Sequence, residues 1–434
     1  MAMHISFCAP KIVRRIADCY KDIATKEGIP YSALCAYIAM NLFGRSSFSS
    51  LCRYAPWTYS CSSLSEHMHK ITQLVQNRIM HRLRNRILKR IKISPDDWIL
   101  VVDTTKKPSH IAALTNSGSW RESNFNAFFG LNLLVIVAVN IHTGVALPLD
   151  FIACEKKKPG REKQSTAWEL VLKLLDKLTA EGFPKLTLAQ DSWFDGVDYL
   201  SQLKARGFTY ETELKSSRLV KEYPNSSRVS LKDAFINEKK VAVAAATREI
   251  TQRDVRKGLQ GKKYVAEKIL YIKSSKSKKS IRVKVAAVYN YPNEKEAFAY
   301  YVTNDISKSG VWLWKVSRLR WNIEVLFRDL KQNLAWGNLA GHEESVSYSS
   351  LMFPLLIVVH LRLLDHGYKA NEYTSLGTMV SKILQEEALR GVDFITNNPK
   401  HSMIALLRNR LDPKFANKKP ANMPAEDRML KMIA

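Results

Sequence analysis

The 434-residue chain predicts an α/β protein: a mixed sheet with flanking helices, preceded by a helical N-terminal segment and interrupted by a basic β-rich insertion. Three observations predict it. Apolar residues recur at helical spacing through residues 1–92, β-branched apolar runs alternate with amphipathic stretches from Asp97, and residues 215–297 combine strand-like pieces with lysine-rich turns. At 46% hydrophobic residues the chain can bury a sizeable core, and its length suits two to four structural units.

The N-terminal helices read as KIVRRIADCYKDI and YSALCAYIAMNLF, punctuated by the turn-forming GIPYS and GRSSFSS. LVQNRIMHRLRNRILKRIK then puts Val75, Ile79, Leu83, Ile87 and Ile91 on one face and Arg78, Arg82, Arg86 and Lys89 around the other. With 15 Lys+Arg against 4 Asp+Glu, residues 1–92 predict a small helical DNA-binding domain whose Arg78, Arg82 and Arg86 meet phosphates.

From Asp97 the period shortens. WILVVDTT (98–105), GLNLLVIVAVN (130–140) and GVALPLDFIA (144–153) read as strands, the last two joined by the short turn IHT as in an antiparallel hairpin. A basic loop (CEKKKPGREK), a helix (STAWELVLKLLDKLTAEG), a strand (KLTLAQD), a helix (DGVDYLSQLKARG) and a strand (FTYETEL) complete residues 97–214.

Residues 215–297 hold 21 Lys+Arg against 8 Asp+Glu, and the strand-like KKYVAEKILYIK and KSIRVKVAAVYNY are separated by SSKSKK; AFAYYVTND closes an insertion spanning 215–305. Helical pattern resumes over 306–367. Weaker helical pattern fills 368–434, a candidate region for dimerisation.

The net charge of +27 is large enough to hold a polyanion by releasing its counterions, so double-stranded DNA is the expected partner. Six cysteines without C-x-x-C pairing or nearby histidines predict neither a zinc site nor a disulfide framework. The apolar run LMFPLLIVVHL (351–361) is short for a membrane span and contains Pro354 and His360, so a buried helix is expected. The N-terminus carries no basic start followed by a long apolar segment, and a cytoplasmic protein without a membrane partner is expected.

Two strands end in an aspartate, Asp103 and Asp191, and an apolar strand delivers such a group rigidly to the edge of a sheet. A third carboxylate stands on RLRWNIEVLFRDLK (318–331). There Arg320, Glu324, Arg328 and Lys331 share one face, opposite the core-directed Leu319, Ile323, Leu326, Leu330 and Leu334. A solvent-facing ladder in which Glu324 pairs with Arg320 and Arg328 would give the same pattern. Brought together with the two aspartates, Glu324 instead makes a set of hard oxygen ligands for Mg²⁺. A pair of such ions about 3.5–4 Å apart can activate a water or a 3′-hydroxyl and stabilise the leaving oxygen of an in-line phosphoryl transfer. Arg320, Arg328 and Lys331 would hold backbone phosphates.

Arg320, three residues, Glu324, six residues and Lys331 resemble the R-x3-E-x6-K part of the YREK signature of bacterial insertion-sequence DDE transposases, and VVDTT and LAQDSWFDG look like the places of that family's two aspartates. The resemblance covers about residues 97–365. The signature tyrosine falls at 317, where this chain has Ser317. The resemblance implies an RNase H-like catalytic domain in two parts, 97–214 and 306–367, around the insertion. It implies Asp103, Asp191 and Glu324 as catalytic metal ligands, two Mg²⁺ ions for which Mn²⁺ can substitute, and a homodimer that pairs transposon terminal repeats and inserts them into target DNA. The activity implied is cut-and-paste transposition, with a hairpin as one route. Trp193, Trp312 and Trp314 are the candidates for stacking on a flipped base. Lys106 and Lys107, after DTT, and Lys215 and Arg218, at the start of the insertion, are candidates for phosphate contact. Two other readings remain: an RNase H-like nuclease that cuts without joining, and a non-catalytic DNA-binding protein derived from a transposase.

Overall fold

The computed structural model describes residues 10–44, 61–108, 118–121, 127–154, 165–244, 262–274, 277, 279–336, 344–363 and 375–397. Among the described residues five helices come first: α1 Lys11–Asp18, α2 Lys21–Lys26, α3 Tyr31–Leu42, α4 Cys61–His69 and α5 Gln73–Arg90. In α3 every residue from Ser32 to Leu42 is buried, because YSALCAYIAMNL carries no charge on any face. Helix α5 buries Val75, Ile79, Leu83 and Ile87, the stripe read from the sequence.

Twelve strands among the described residues form one sheet. The first five are β1 Trp98–Pro108, β2 Gly118–Arg121, β3 Ala127–Asn140, β4 Ala146–Ala153 and, after helix α6 Ala167–Ala180, β5 Thr187–Gln190. Helix α7 Val197–Ala205 leads to β6 Tyr210–Leu214. β1 pairs antiparallel with β3 from Trp98↔Asn140 to Pro108↔Gly130, and β3 pairs antiparallel with β4. On the other side of β1 lie β5 and then β6, both parallel to it. The order β4-β3-β1-β5-β6, three meandering strands followed by two parallel ones reached through helices, is the RNase H-like arrangement. Helix α6 opens with a capping box in which the Thr166 hydroxyl accepts from the Glu169 amide and the Glu169 carboxylate accepts from the Thr166 amide.

The insertion is not a separate body. It contributes β7 Leu219–Lys221, β8 Val229–Ser230, helix α8 Leu231–Ala234, β9 Val241–Ala244, β10 Lys262–Lys273, β11 Ser280–Tyr289 and β12 Ala299–Thr303, and the sheet continues outward from β6 as β12-β11-β10-β7-β8. The edge of β6 would otherwise present unpaired amides; β12 covers it through Tyr300↔Leu214 to Thr303↔Glu211. The short β7, β8, β9 and α8 have no periodicity long enough to be read from the sequence.

After β12 come helices α9 Gly310–Asn333, α10 Glu344–Leu363 and α11 Leu376–Asn397. The run of α10 is long and apolar enough to cross a membrane by length and composition, but its side chains are buried in the core. It packs on α3, α4, α5 and β4. The described helices of residues 1–92 therefore share one continuous hydrophobic core with the sheet, and among the described residues no gap in packing falls at residue 92.

An arginine ties the two regions together. Arg84 on α5 is 0% exposed and donates to Asp150 of β4 at 3.0 Å and to Glu181, just past α6, at 2.7 Å; Lys177 also reaches Asp150 at 2.8 Å. Cys35 and Cys154 are buried and Cys19 is half-buried; Cys8, Cys52 and the side chain of Cys61 lie outside the described residues. Of the region 368–434, only residues 375–397 are described.

Candidate active site

Strand β1 runs through Ile99, Leu100, Val101 and Val102, all buried, and delivers Asp103 half-buried. One carboxylate oxygen of Asp103 accepts from the Thr104 amide at 2.7 Å. The other lies 3.3 Å from Nη1 of Arg320 on α9. Burial pushes the Asp103 carboxyl up to about 6, against the pull of the Thr104 amide and Arg320 and with the push of Asp191 and Glu324.

Asp191 directly follows β5 and caps a short 3₁₀ turn, Ser192–Phe194, by accepting from the Ser192 amide. Its carbonyl accepts from the Thr212 hydroxyl of β6 at 2.9 Å, which locks the strand end to its neighbour.

Helix α9 crosses the sheet over these two ends. Ser309 caps it by accepting from the Trp312 amide at 3.1 Å. Gly310 follows because a Cβ there would come within 2.9 Å of Val265 Cγ1, so only glycine lets the helix start this close to β10. Leu319, Ile323, Leu326 and Leu330 are buried on the sheet side as the sequence predicts, and Leu334 beyond the helix is buried too. The same packing sets Glu324 facing the aspartates, with Arg320 Nη1 3.5 Å from its Oε1. Burial raises the Glu324 carboxyl, with Arg320 lowering it and Asp191 raising it.

The structure thus brings Asp103, Asp191, Glu324 and Arg320 together. The ladder reading survives only in part, since Arg320 bridges Glu324 and Asp103 at once. Lys331 Nζ donates to Thr105 Oγ1 at 3.1 Å, and its ammonium is lowered by burial and by Lys106. Asp103, Thr104, Thr105, Glu324, Arg328 and Lys331 line an open cleft of about 490 Å³. Lys106 and Lys107 belong to β1, which continues to Pro108; the Lys107 side chain lies outside the described residues. Lys215 is exposed, and Arg218 pairs with Asp195 at 3.3 Å in the loop that follows Asp191.

The tryptophan candidates separate. Trp193 is 61% exposed directly beside Asp191. Trp312 is half-buried with Lys308 Nζ 5.1 Å from its ring centre. Trp314 is 3% exposed among Leu313, Val265, Ala286 and Val288, so the stacking role expected of it is corrected: its ring is a packing anchor.

The arginines expected on α5 to meet phosphates also make contacts within the protein, with Arg78 still half exposed. Arg78 is held by Glu27 at 2.5 Å, Arg82 by both oxygens of Asp22, and Arg86 turns its Nε into the interior. The face that sequence periodicity leaves polar is turned onto the acidic residues of α2 and its following turn.

Several site neighbours were not found by sequence reasoning. Glu211 and Glu213 of β6 both feel the charge of Arg320, and the alternation in FTYETEL placed them on one strand face. Trp321, beside Arg320, is 58% exposed, a position legible as an aromatic off the apolar stripe. The phenol of Tyr301 on β12 lies near the Ser317 side chain, which donates to the Trp314 carbonyl at 2.7 Å. A tyrosine therefore stands against the position where the signature tyrosine is missing, brought there by the sheet.

Residues 94–352 match the family described as the transposase DDE domain. The chain belongs to the transposase DDE-domain family. Among solved structures, a piggyBac transposase synaptic complex with hairpin DNA aligns over 97% of this chain and 86% of that one, at 10% identity and a TM-score of 0.47. Endonuclease V of Ciona intestinalis in complex with DNA aligns over 59% of this chain and 96% of that one, at 12% identity and a TM-score of 0.26. No curated protein matches the chain in sequence. The family boundaries enclose β1 to the first part of α10, so both strand-end aspartates and Glu324 fall inside the matched region.

Proposed function

We propose that this member of the family is a cut-and-paste transposase that uses Asp103, Asp191 and Glu324 to hold divalent cations, Mg²⁺ by preference, at the ends of its own element. The observation that carries the reading is the convergence of two strand-end aspartates and one helix glutamate around a single guanidinium. The donor set fits a hard cation, because carboxylate oxygens outnumber the local positive charge and Arg320 already serves as a positive partner between Asp103 and Glu324. Among the described residues no three such groups converge tightly enough to enclose an ion as arranged. When bound, the ions would activate the attacking oxygen and stabilise the leaving one.

The chain's own residues supply the rest. Arg320, Arg328 and Lys331 present positive charge beside the carboxylates and would align backbone phosphates; Lys106, Lys215 and Arg218 flank the same sheet edge. Trp193 offers an exposed ring next to Asp191 for a base taken out of the stack. Residues 1–92 and 215–305, with their Lys+Arg excess, are assigned to gripping terminal-repeat DNA, and residues 368–434 to contact between two copies in a homodimer that pairs two ends. A cytoplasmic location follows from this reading.

The test is strand cleavage of a labelled duplex carrying the element's own end, by wild type and Glu324→Gln, with and without Mg²⁺. Metal- and Glu324-dependent nicks at the boundary followed by joined products support the reading. Nicks without joining would make the protein a nuclease, and specific binding with no cleavage by wild type would make it a DNA-binding protein.

A further inference from the structure

Strand β6 carries two glutamates that the catalytic reading leaves unused. Glu211 and Glu213 lie two residues apart, so their side chains stand on one face of the sheet. β5 and β6 run parallel with Ala189 opposite Glu211 and Gln190 opposite Thr212. Asp191 keeps an extended backbone (φ −75°, ψ 164°), which carries the register one residue on and sets it beside Glu213. The Thr212 hydroxyl bound to the Asp191 carbonyl pins that alignment. On its other side Glu213 faces Tyr301 of β12.

Glu213 is half-buried, and among the described residues it has no hydrogen bond and no ion pair, although both Asp191 and Arg320 act on it through their charges. Beneath it, Glu211 is 1% exposed and its Oε2 has no partner. Carboxylates enclosed without donors, next to a third, are unfavourable unless positive charge completes the group. Arg320 is already shared between Asp103 and Glu324. Glu211 is sealed from solvent and cannot meet an exchangeable ion; Glu213 is only half-buried and stands next to Asp191 in the register.

We propose that Glu213 is a fourth carboxylate of the cation centre, sharing a divalent ion with Asp191. This rests on the transposase reading of the site. It adds an oxygen donor to the three carboxylates of the motif.

The experiment is calorimetric titration of Mn²⁺ into the full-length protein, comparing wild type, Glu213→Gln, Glu213→Asp and Asp191→Asn, with thermal melting as the check on folding. Glu213→Gln is expected to weaken one Mn²⁺-binding step by roughly tenfold or more, with Glu213→Asp regaining part of it. Unchanged Mn²⁺ binding in Glu213→Gln, while Asp191→Asn loses an ion, overturns the proposal and leaves the catalytic reading standing. If Glu213→Gln does not fold, Glu213→Asp carries the same test: affinity equal to wild type overturns the proposal. Wild type that takes up no Mn²⁺ overturns the catalytic reading and this proposal with it.

Discussion

Arg320 Nη1 lies 3.3 Å from Asp103 Oδ2, and the same nitrogen lies 3.5 Å from Glu324. One guanidinium thus joins the central strand to the helix that crosses it. Arg320→Ala should leave the carboxylates uncompensated and lower stability by about 1–3 kcal/mol in metal-free buffer, a figure already reduced for partial exposure. Millimolar Mg²⁺ should recover most of the loss, because the ion replaces the missing positive charge. Melting curves with and without Mg²⁺ test this; a loss that Mg²⁺ does not reduce would mean that Arg320 acts only as a packing residue.

The raised Asp103 carboxyl gives a pH dependence with a definite sign. Its folded value of about 6 stands above the ordinary 3.8, so this group's contribution to stability is fully present below pH 3.8 and is lost as pH rises through about 6. Asp103→Asn should therefore stabilise the metal-free protein above pH 6, by no more than about 3 kcal/mol, and lose that advantage toward pH 4. Cleavage by wild type at subsaturating Mg²⁺ should fall as pH drops through about 6, since the ion then competes with a proton for Asp103. Chemical denaturation of both proteins from pH 4 to 8 reads the first effect, and a pH–rate profile the second.

Trp193 and Trp314 should part company on substitution. Trp314→Ala empties a packed site and should cost about 3–5 kcal/mol of stability. Trp193→Ala removes an exposed ring and should change stability by less than about 0.5 kcal/mol while slowing strand cleavage by about 1–3 kcal/mol in barrier. Urea unfolding set beside single-turnover cleavage separates the two, and a Trp193→Ala variant that cleaves at the wild-type rate would remove that ring from DNA handling.

Arg84→Ala should be the most damaging change outside the site. It leaves Asp150 and Glu181 enclosed without their guanidinium, at a cost of about 3–5 kcal/mol. By the same packing, a chain truncated before residue 93 exposes the α10 and β4 surfaces that α3 and α5 cover, and it should aggregate instead of folding as a catalytic fragment. Size-exclusion chromatography of the truncated chain would show otherwise if it ran as a monodisperse species.

By itself the sequence determined the local elements and the chemistry they carry. Val75 to Ile87 at helical spacing, the runs ending at Asp103 and Asp191, and the Arg320–Glu324–Lys331 face were all legible, because periodicity and strand-end position are properties of neighbouring residues. Only the tertiary structure decided which polar groups meet. The face holding Arg78 and Arg82 looked solvent-directed and is met by Glu27 and Asp22; Trp314 looked available and is enclosed by β10 and β11; Glu213 looked like ordinary strand polarity and lies beside Asp191. These meetings depend on strand register and helix docking across tens to hundreds of residues. That is also why Tyr301 could come to Ser317 by pairing of β12 with β6, a neighbourhood that no spacing along the chain encodes.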